Sequence, residues 1–342
     1  MAERAETGFD GRAMAKRIAF FAVVLVVVVV GVSTLPGVGE VRDRLSDANP
    51  WWLVVAAAFR IGSMLGFVRV LWAVFDRLMP WRRALVLGLA EQGANVLLPA
   101  GGAGGPALGA YVMTRIGVPA ELAASRHAAL FLSTSVIGFA AVVLAGAAEA
   151  IGILPGDASL LATLLPAAGA AALLALLYVY ARLPPAAEPD RGGVWHRLWR
   201  LRHFVHDGVS TTVELLRHGD RLLIFGCVTY YALDVASLGA AFAAFGGGAP
   251  PVGEFVLAYT LGHAGALLPT PGGVGGTEGG LIGMFALYGT PLGVATAAVL
   301  AYRVFQLGLP AVFGAVALVR VRHVLANPPP RAEIEARFAG QR

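Results

Sequence analysis

Residues 267–278 read Leu267-Leu268-Pro269-Thr270-Pro271-Gly272-Gly273-Val274-Gly275-Gly276-Thr277-Glu278, inside an apolar stretch that runs from 253 to 289. Proline removes a backbone donor and clashes with the preceding turn, and glycine weakens a helix interior, so no straight helix passes through this run. The stretch therefore reads as two short helical arms joined by a glycine tip. A second stretch, 84 to 116, is broken in the same way: Leu97-Leu98-Pro99 is followed by Gly101-Gly102-Ala103-Gly104-Gly105. Downstream, Gly117-Val118-Pro119 aligns with Gly289-Thr290-Pro291, and the correspondence holds at an offset of 170 to 172 residues. Flanking matches of this kind favour a duplication over a chance likeness between glycine-rich runs.

Around the two broken stretches lie longer apolar runs near residues 18–35, 50–75, 121–147, 158–181, 221–245 and 291–319. With 57% hydrophobic and 14% charged residues, against roughly 25% charged in a soluble domain, the bilayer is the solvent to reason with. Crossing it takes about 20 mostly apolar residues, so each run predicts a full span. Lys and Arg in short loops stay cytoplasmic. Arg12, Lys16 and Arg17 place the N-terminus inside, and Arg77, Arg82 and Arg83 place the next loop inside. The loop near 148–157 reads as external, Arg182 to Arg221 as internal, Gly246 to Val252 as external, and Arg320 with Arg322 sets the C-terminus inside. Stretch 84–116 must then begin and end inside, and stretch 253–289 must begin and end outside. Each is expected to be a re-entrant hairpin, and the two are inverted relative to one another. Two short full spans are the alternative for each.

The expected fold is an all-α polytopic membrane protein of about six transmembrane helices plus two re-entrant hairpins in inverted repeats. A cytoplasmic segment 1–17 precedes a single membrane domain, 18–325. That domain holds repeat one (about 82–149), a cytoplasmic connection (about 182–220) and repeat two (about 252–319), and a cytoplasmic tail, 326–342, follows it. In the connection, Trp195, Leu198, Trp199, Val205 and Val209 recur at near-helical spacing between arginines. This suits a basic amphipathic helix on the membrane surface, with a solvated loop helix as the alternative. The run Ile18 to Val32 lacks a small-x-small cleavage pattern and reads as a retained span rather than a signal peptide.

The arginines behind the +5 charge flank apolar runs and form no single basic face, which argues for anionic lipid and topology and against nucleic acid. Cys227 stands alone, so no internal disulfide and no thiolate metal cluster is expected. No metal and no cofactor is expected either.

Inverted repeats with broken helices are the architecture of many secondary transporters, whose site lies near the midplane at the repeat interface. The tips carrying Gly101, Gly102, Gly104 and Gly105, and Gly272, Gly273, Gly275 and Gly276, expose backbone N–H groups suited to a phosphate; close packing is their plainer role. Ionisable residues at membrane depth are functional candidates by default. Glu278 follows the second tip, where it can bind a cation, a proton or an amine, or simply cap the next half-helix. Arg303 lies some 12 residues into the last span, about 18 Å from its start, and faces a lipid phosphate or Glu278. Arg60 is equally deep in the second span and is a further phosphate candidate. Glu91 and Asn95 share one face of the first hairpin arm, and His263 takes the similar place in the second. Asp234 is mid-span, where an arginine is its natural partner, whereas Arg126 and His127 read as interfacial anchors.

The second motif, Leu268 to Glu278 followed by Tyr302-Arg303 and Pro310, resembles the flippase-like membrane domain of the lysylphosphatidylglycerol synthase family. The first, Asn95 to Gly105 followed by Tyr111 and Arg115, is similar to that family's other hallmark. Together they cover roughly residues 15 to 325. The resemblance implies a bacterial inner-membrane protein that translocates a lipid, whether an anionic or aminoacylated phospholipid or an isoprenoid-linked one, and a homo-oligomer is compatible with it. In full-length synthases a soluble C-terminal domain makes the aminoacyl lipid; no room for it is expected here, so synthase activity is not carried over and the protein is not expected to be an enzyme. A scaffold for a cytoplasmic lipid-modifying enzyme is the alternative, and an intramembrane enzyme is a more distant one.

Overall fold

The computed structural model describes residues 47–98, 103–184, 193–267, 273–326 and 328–338. The expected first span at 18–35, the segment before it, and Gly101, Gly102 and Gly272 of the two expected tips lie outside the described residues. Within them all regular structure is helical. In chain order the helices are α1 (Pro50–Val74), α2 (Trp81–Leu97), α3 (Gly104–Arg115), α4 (Ala120–Ala150), α5 (Leu160–Arg182) and α6 (Val194–Arg217). They continue with α7 (Arg221–Ala244), α8 (Val252–Gly262), a 3-10 turn (His263–Leu267), α9 (Gly276–Leu287), α10 (Leu292–Ala326) and α11 (Arg331–Phe338).

Five described helices, α1, α4, α5, α7 and α10, are long and apolar enough to cross a membrane. They fall on five of the six expected spans. The last runs past the expected end at 319, to Ala326, with Pro310 inside it. By contrast α3 and α9 have 12 residues each and reach only about 18 Å, well short of a hydrocarbon core about 30 Å thick.

The same order, long helix, two short helices, long helix, occurs twice. The first residues of α1, α2, α3 and α4 precede those of α7, α8, α9 and α10 by 171, 171, 172 and 172 positions. The repeated unit thus includes the helix before each broken stretch, which the expected limits at 82 and 252 leave out. Helices α1 and α7 pack together antiparallel. Asn49 N–H donates to the Ala244 carbonyl at one end (2.8 Å), and Arg77 pairs with Asp220 at the other (3.0 Å).

Between those ends the contacts are reciprocal. Ser63 Oγ donates to the Tyr230 carbonyl (2.8 Å), and Ser237 Oγ donates to the Ala56 carbonyl (2.9 Å). Ser63 and Ser237 stand 174 apart, as do Ala56 and Tyr230, so a local two-fold axis relates the two contacts. Arg60 and Asp234 are also 174 apart and meet on that axis at 2.7 Å.

Each broken stretch sits in its own apolar cluster. One gathers Leu87, Leu97, Val112 and Met113 of α2 and α3 with Val68 and Leu71 of α1. The other gathers Leu257, Leu281 and Phe285 of α8 and α9 with Phe242 of α7 and Val299 of α10. Helices α2 and α10 come close together at Gly93 and Gly314, where a Cβ on Gly93 would lie 2.5 Å from Gly314 Cα. Small residues are what let backbones in a membrane come this near.

Candidate functional site

Asp234 is buried at the centre of α7, and both its oxygens are occupied. Oδ1 takes Arg60 Nη1 at 2.7 Å; Oδ2 accepts the hydroxyls of Tyr259 (2.7 Å) and Tyr302 (3.0 Å). One carboxylate therefore joins α1, α7, α8 and α10. Two buried charges with well-placed partners satisfy one another, but removal of either leaves the other uncompensated in low dielectric.

From Tyr259 the network continues outward. His263, one turn on, directs Nδ1 at the Tyr259 carbonyl (2.8 Å), and a carbonyl can only accept, so Nδ1 carries the proton. That leaves Nε2 as an acceptor for Gln306 Nε2 at 3.2 Å. The Gln306 carbonyl accepts from Arg303 Nη1, and Arg303 Nε donates to Glu278 Oε1 at 2.8 Å. Glu278 Oε2 accepts the Gly275 N–H at 2.7 Å. Gly275 has φ +86°, a conformation in which a side chain is strained, and it turns the chain into α9. The side chains of Arg303 and Glu278 are only 5% and 12% exposed. Beside them the Thr277 hydroxyl is buried without a partner, in the first turn of α9.

Glu278 thus both caps α9 and pairs with Arg303. Around the pair stand the ingredients of an anion site: a guanidinium, a hydroxyl with unused capacity, and the positive end of a helix. A carboxylate in the same place gives the site a partner for an amine or a proton.

A second polar cluster belongs to the first broken stretch. His127 directs Nδ1 at the Ala123 carbonyl (2.7 Å) and Nε2 at Glu91 Oε1 (3.2 Å). With Nδ1 donating, the Nε2–Oε1 contact needs one further proton, carried by the imidazole or by the carboxyl. A Cβ on Gly109 of α3 would lie 2.0 Å from Glu91 Oε1 and 2.1 Å from His127 Nε2, so only glycine lets α3 close over the pair. Asn95 does not join it. Its Oδ1 accepts the Gly105 N–H at 2.7 Å and ties α2 to the start of α3. Gly104 packs against the Ala94 carbonyl.

Several expectations change here. Arg60, expected as a phosphate candidate, is held in a buried ion pair with Asp234. Arg126 and His127 are not interfacial anchors, since both are buried, and Arg126 bonds the Val74 carbonyl and pairs with Asp76 at 3.0 Å. Glu91 and Asn95 serve different partners. Glu278, Arg303 and His263 come together in one network, joined by Gly275; Gly276 begins α9, and Gly273, at φ +67°, leads into the same turn. Tyr259 and Gln306 were not anticipated. Each is legible afterwards, four residues before His263 and three after Arg303, on the same helical face.

The family model for the lysylphosphatidylglycerol synthase TM region matches residues 17–314. The chain belongs to this family. No curated protein gives a significant match. Membership in the lysylphosphatidylglycerol synthase TM region family makes this a multi-pass membrane protein tied to lipid metabolism or transport. Both polar clusters and all ten helices from α1 to α10, apart from the last turns of α10, lie inside the matched residues.

Proposed function

We propose that the protein moves a lipid or lipid-linked anionic substrate between the leaflets of a bacterial inner membrane, with both termini cytoplasmic. The observation that carries this reading is the run of buried polar groups in two linked parts, Arg60–Asp234 with Tyr259 and Tyr302 on the local two-fold, and His263–Gln306–Arg303–Glu278 down to the turn at Gly275, the two meeting at Tyr259. It links side chains of α1, α7, α8, α9 and α10, between apolar clusters built on the two broken stretches. Buried ionic networks are often neutral or costly beside well-packed apolar residues of similar volume, so fold stability alone is a poor reason for this one.

In this reading the two broken stretches are re-entrant hairpins that enter from opposite faces, as the loop charges suggest and as the antiparallel α1–α7 pair supports. Arg303 and the first turn of α9 receive the phosphate, and Glu278 exchanges its Arg303 partner for an amine or a proton as the substrate passes. The protein acts as a transporter rather than an enzyme. The scaffold reading would make the deep charges dispensable, whereas here they form the path.

Proteoliposomes with fluorescent lipids across anionic, zwitterionic and cationic headgroups test the reading. Wild type is expected to translocate at least one headgroup class, and Glu278→Gln and Arg303→Ala to lose that movement while remaining folded. Unchanged movement in both variants, or none with any lipid in the wild type, would overturn it.

A further inference from the structure

Away from the polar network, two adjoining cavities open where α5 and α6 end. One, of about 390 Å³, is lined by Arg182 at the end of α5 and by Ser210, Glu214, Arg217 and His218 at the end of α6. The other, of about 310 Å³, is apolar and lies between Leu132 and Val136 of α4, Leu174 and Leu177 of α5, and Val209 and Leu216 of α6. Val213 and Arg217 line both. A second bridge joins them, because the Arg182 guanidinium stacks over the ring of Tyr178, 4.9 Å from its centroid, and Tyr178 lines the apolar cavity. Each volume falls in the ~300–1,000 Å³ range of small-molecule sites.

A cationic chamber continuous with an apolar one, at the ends of helices that border the bilayer, matches an amphiphile with a negative head. We propose that this cleft binds one anionic glycerophospholipid, its phosphate against Arg182 and Arg217 and an acyl chain in the groove between α4, α5 and α6. Glu214 is the one carboxylate lining the polar side, and the two arginines leave that chamber a net positive charge. The position is an interfacial one, since Arg182 and Arg217 are exposed while Val209 and Thr212 beneath them are buried. Arg182 and Arg217 also offset the negative ends of their own helices, so a stability change in their variants does not by itself report a ligand. The cleft shares no residue with the Glu278–Arg303 network, and the inference stands whether or not the protein translocates lipid.

The test is photo-crosslinking in proteoliposomes with phosphatidylglycerol and phosphatidylcholine carrying the same diazirine acyl chain, with labelled peptides mapped by mass spectrometry. Phosphatidylglycerol is expected to label peptides within 174–182 and 209–218 about tenfold more than phosphatidylcholine, the preference two interfacial arginines support. The double variant Arg182→Gln/Arg217→Gln should remove that preference. Leu177→Trp, which keeps both arginines and fills the groove, should reduce labelling by both probes, and excess glycerol phosphate should not compete. Equal labelling by the two probes in the wild type would reduce the cleft to ordinary lipid contact and overturn the proposal. Full competition by glycerol phosphate would overturn it in favour of a soluble phosphate ligand. Neither result is touched by Glu278→Gln, so a failure here is separable from a failure of the translocation reading.

Discussion

Asp234 illustrates how much one side chain organises. Its two oxygens serve an arginine and two tyrosines from three other helices, so its loss is felt across the bundle. Asp234→Leu is expected to destabilise the protein by about 3–5 kcal/mol, because Arg60 remains buried without its counter-charge. The double variant Arg60→Met/Asp234→Leu should recover much of that loss; thermal unfolding of the purified protein in detergent measures both. At the other cluster, Gly109→Ala places a methyl against Glu91 and His127 at once. It is expected to lower the same unfolding midpoint, by an amount equivalent to about 1–3 kcal/mol. The charged positions themselves were legible in the sequence, since an ionisable residue inside an apolar run stands out. Their partners were less so. Arg126 and His127, close to the start of α4, read as interfacial by depth alone. What buries Arg126 is tertiary cover: Asp76 of the α1–α2 connection, and the ring of Phe338 in α11, 5.4 Å from its guanidinium carbon.

Among the elements, the long spans were the easiest to read, because hydropathy over some 20 residues outweighs local detail. The expected 50–75 and 221–245 meet Pro50–Val74 and Arg221–Ala244 almost residue for residue. The broken stretches were legible from their prolines and glycines. Membership of α1 and α7 in the repeat was not, since the two helices share little beyond Ser63 and Ser237 and their kinship shows in the element order and the reciprocal hydrogen bonds of the folded chain. The α2–α10 contact was equally hidden, because a single glycine in a long helix has many possible reasons. Gly314→Val is expected to force α2 and α10 apart at Gly93, costing about 1–3 kcal/mol. Gly308→Val, six residues away in the same helix with open space beside it, should leave the unfolding midpoint nearly unchanged.

For the whole molecule, two four-helix units meet along an antiparallel α1–α7 seam, with the Arg60–Asp234 pair on their local axis. The units are alike in element order and unlike in chemistry. Repeat one holds an isolated Glu91–His127 pair closed over by α3, whereas in repeat two His263 takes the position of Glu91 and opens into the longer chain to Arg303 and Glu278. That asymmetry concentrates the proposed path in the second half of the chain. It depends on the two broken stretches entering from opposite faces, which is a matter of sidedness and directly measurable. Cys227 is buried and the only cysteine, so a Cys227→Ser background admits single reporters at the ends of each hairpin: Arg82→Cys and Thr114→Cys for the first, Val252→Cys and Leu287→Cys for the second. Labelled with a membrane-impermeant maleimide in oriented vesicles, the first pair should react from the cytoplasmic face alone and the second pair from the opposite face alone. Reporters of one hairpin reacting from different faces, or both hairpins reacting from the same face, would contradict the inverted arrangement and the transport path built on it.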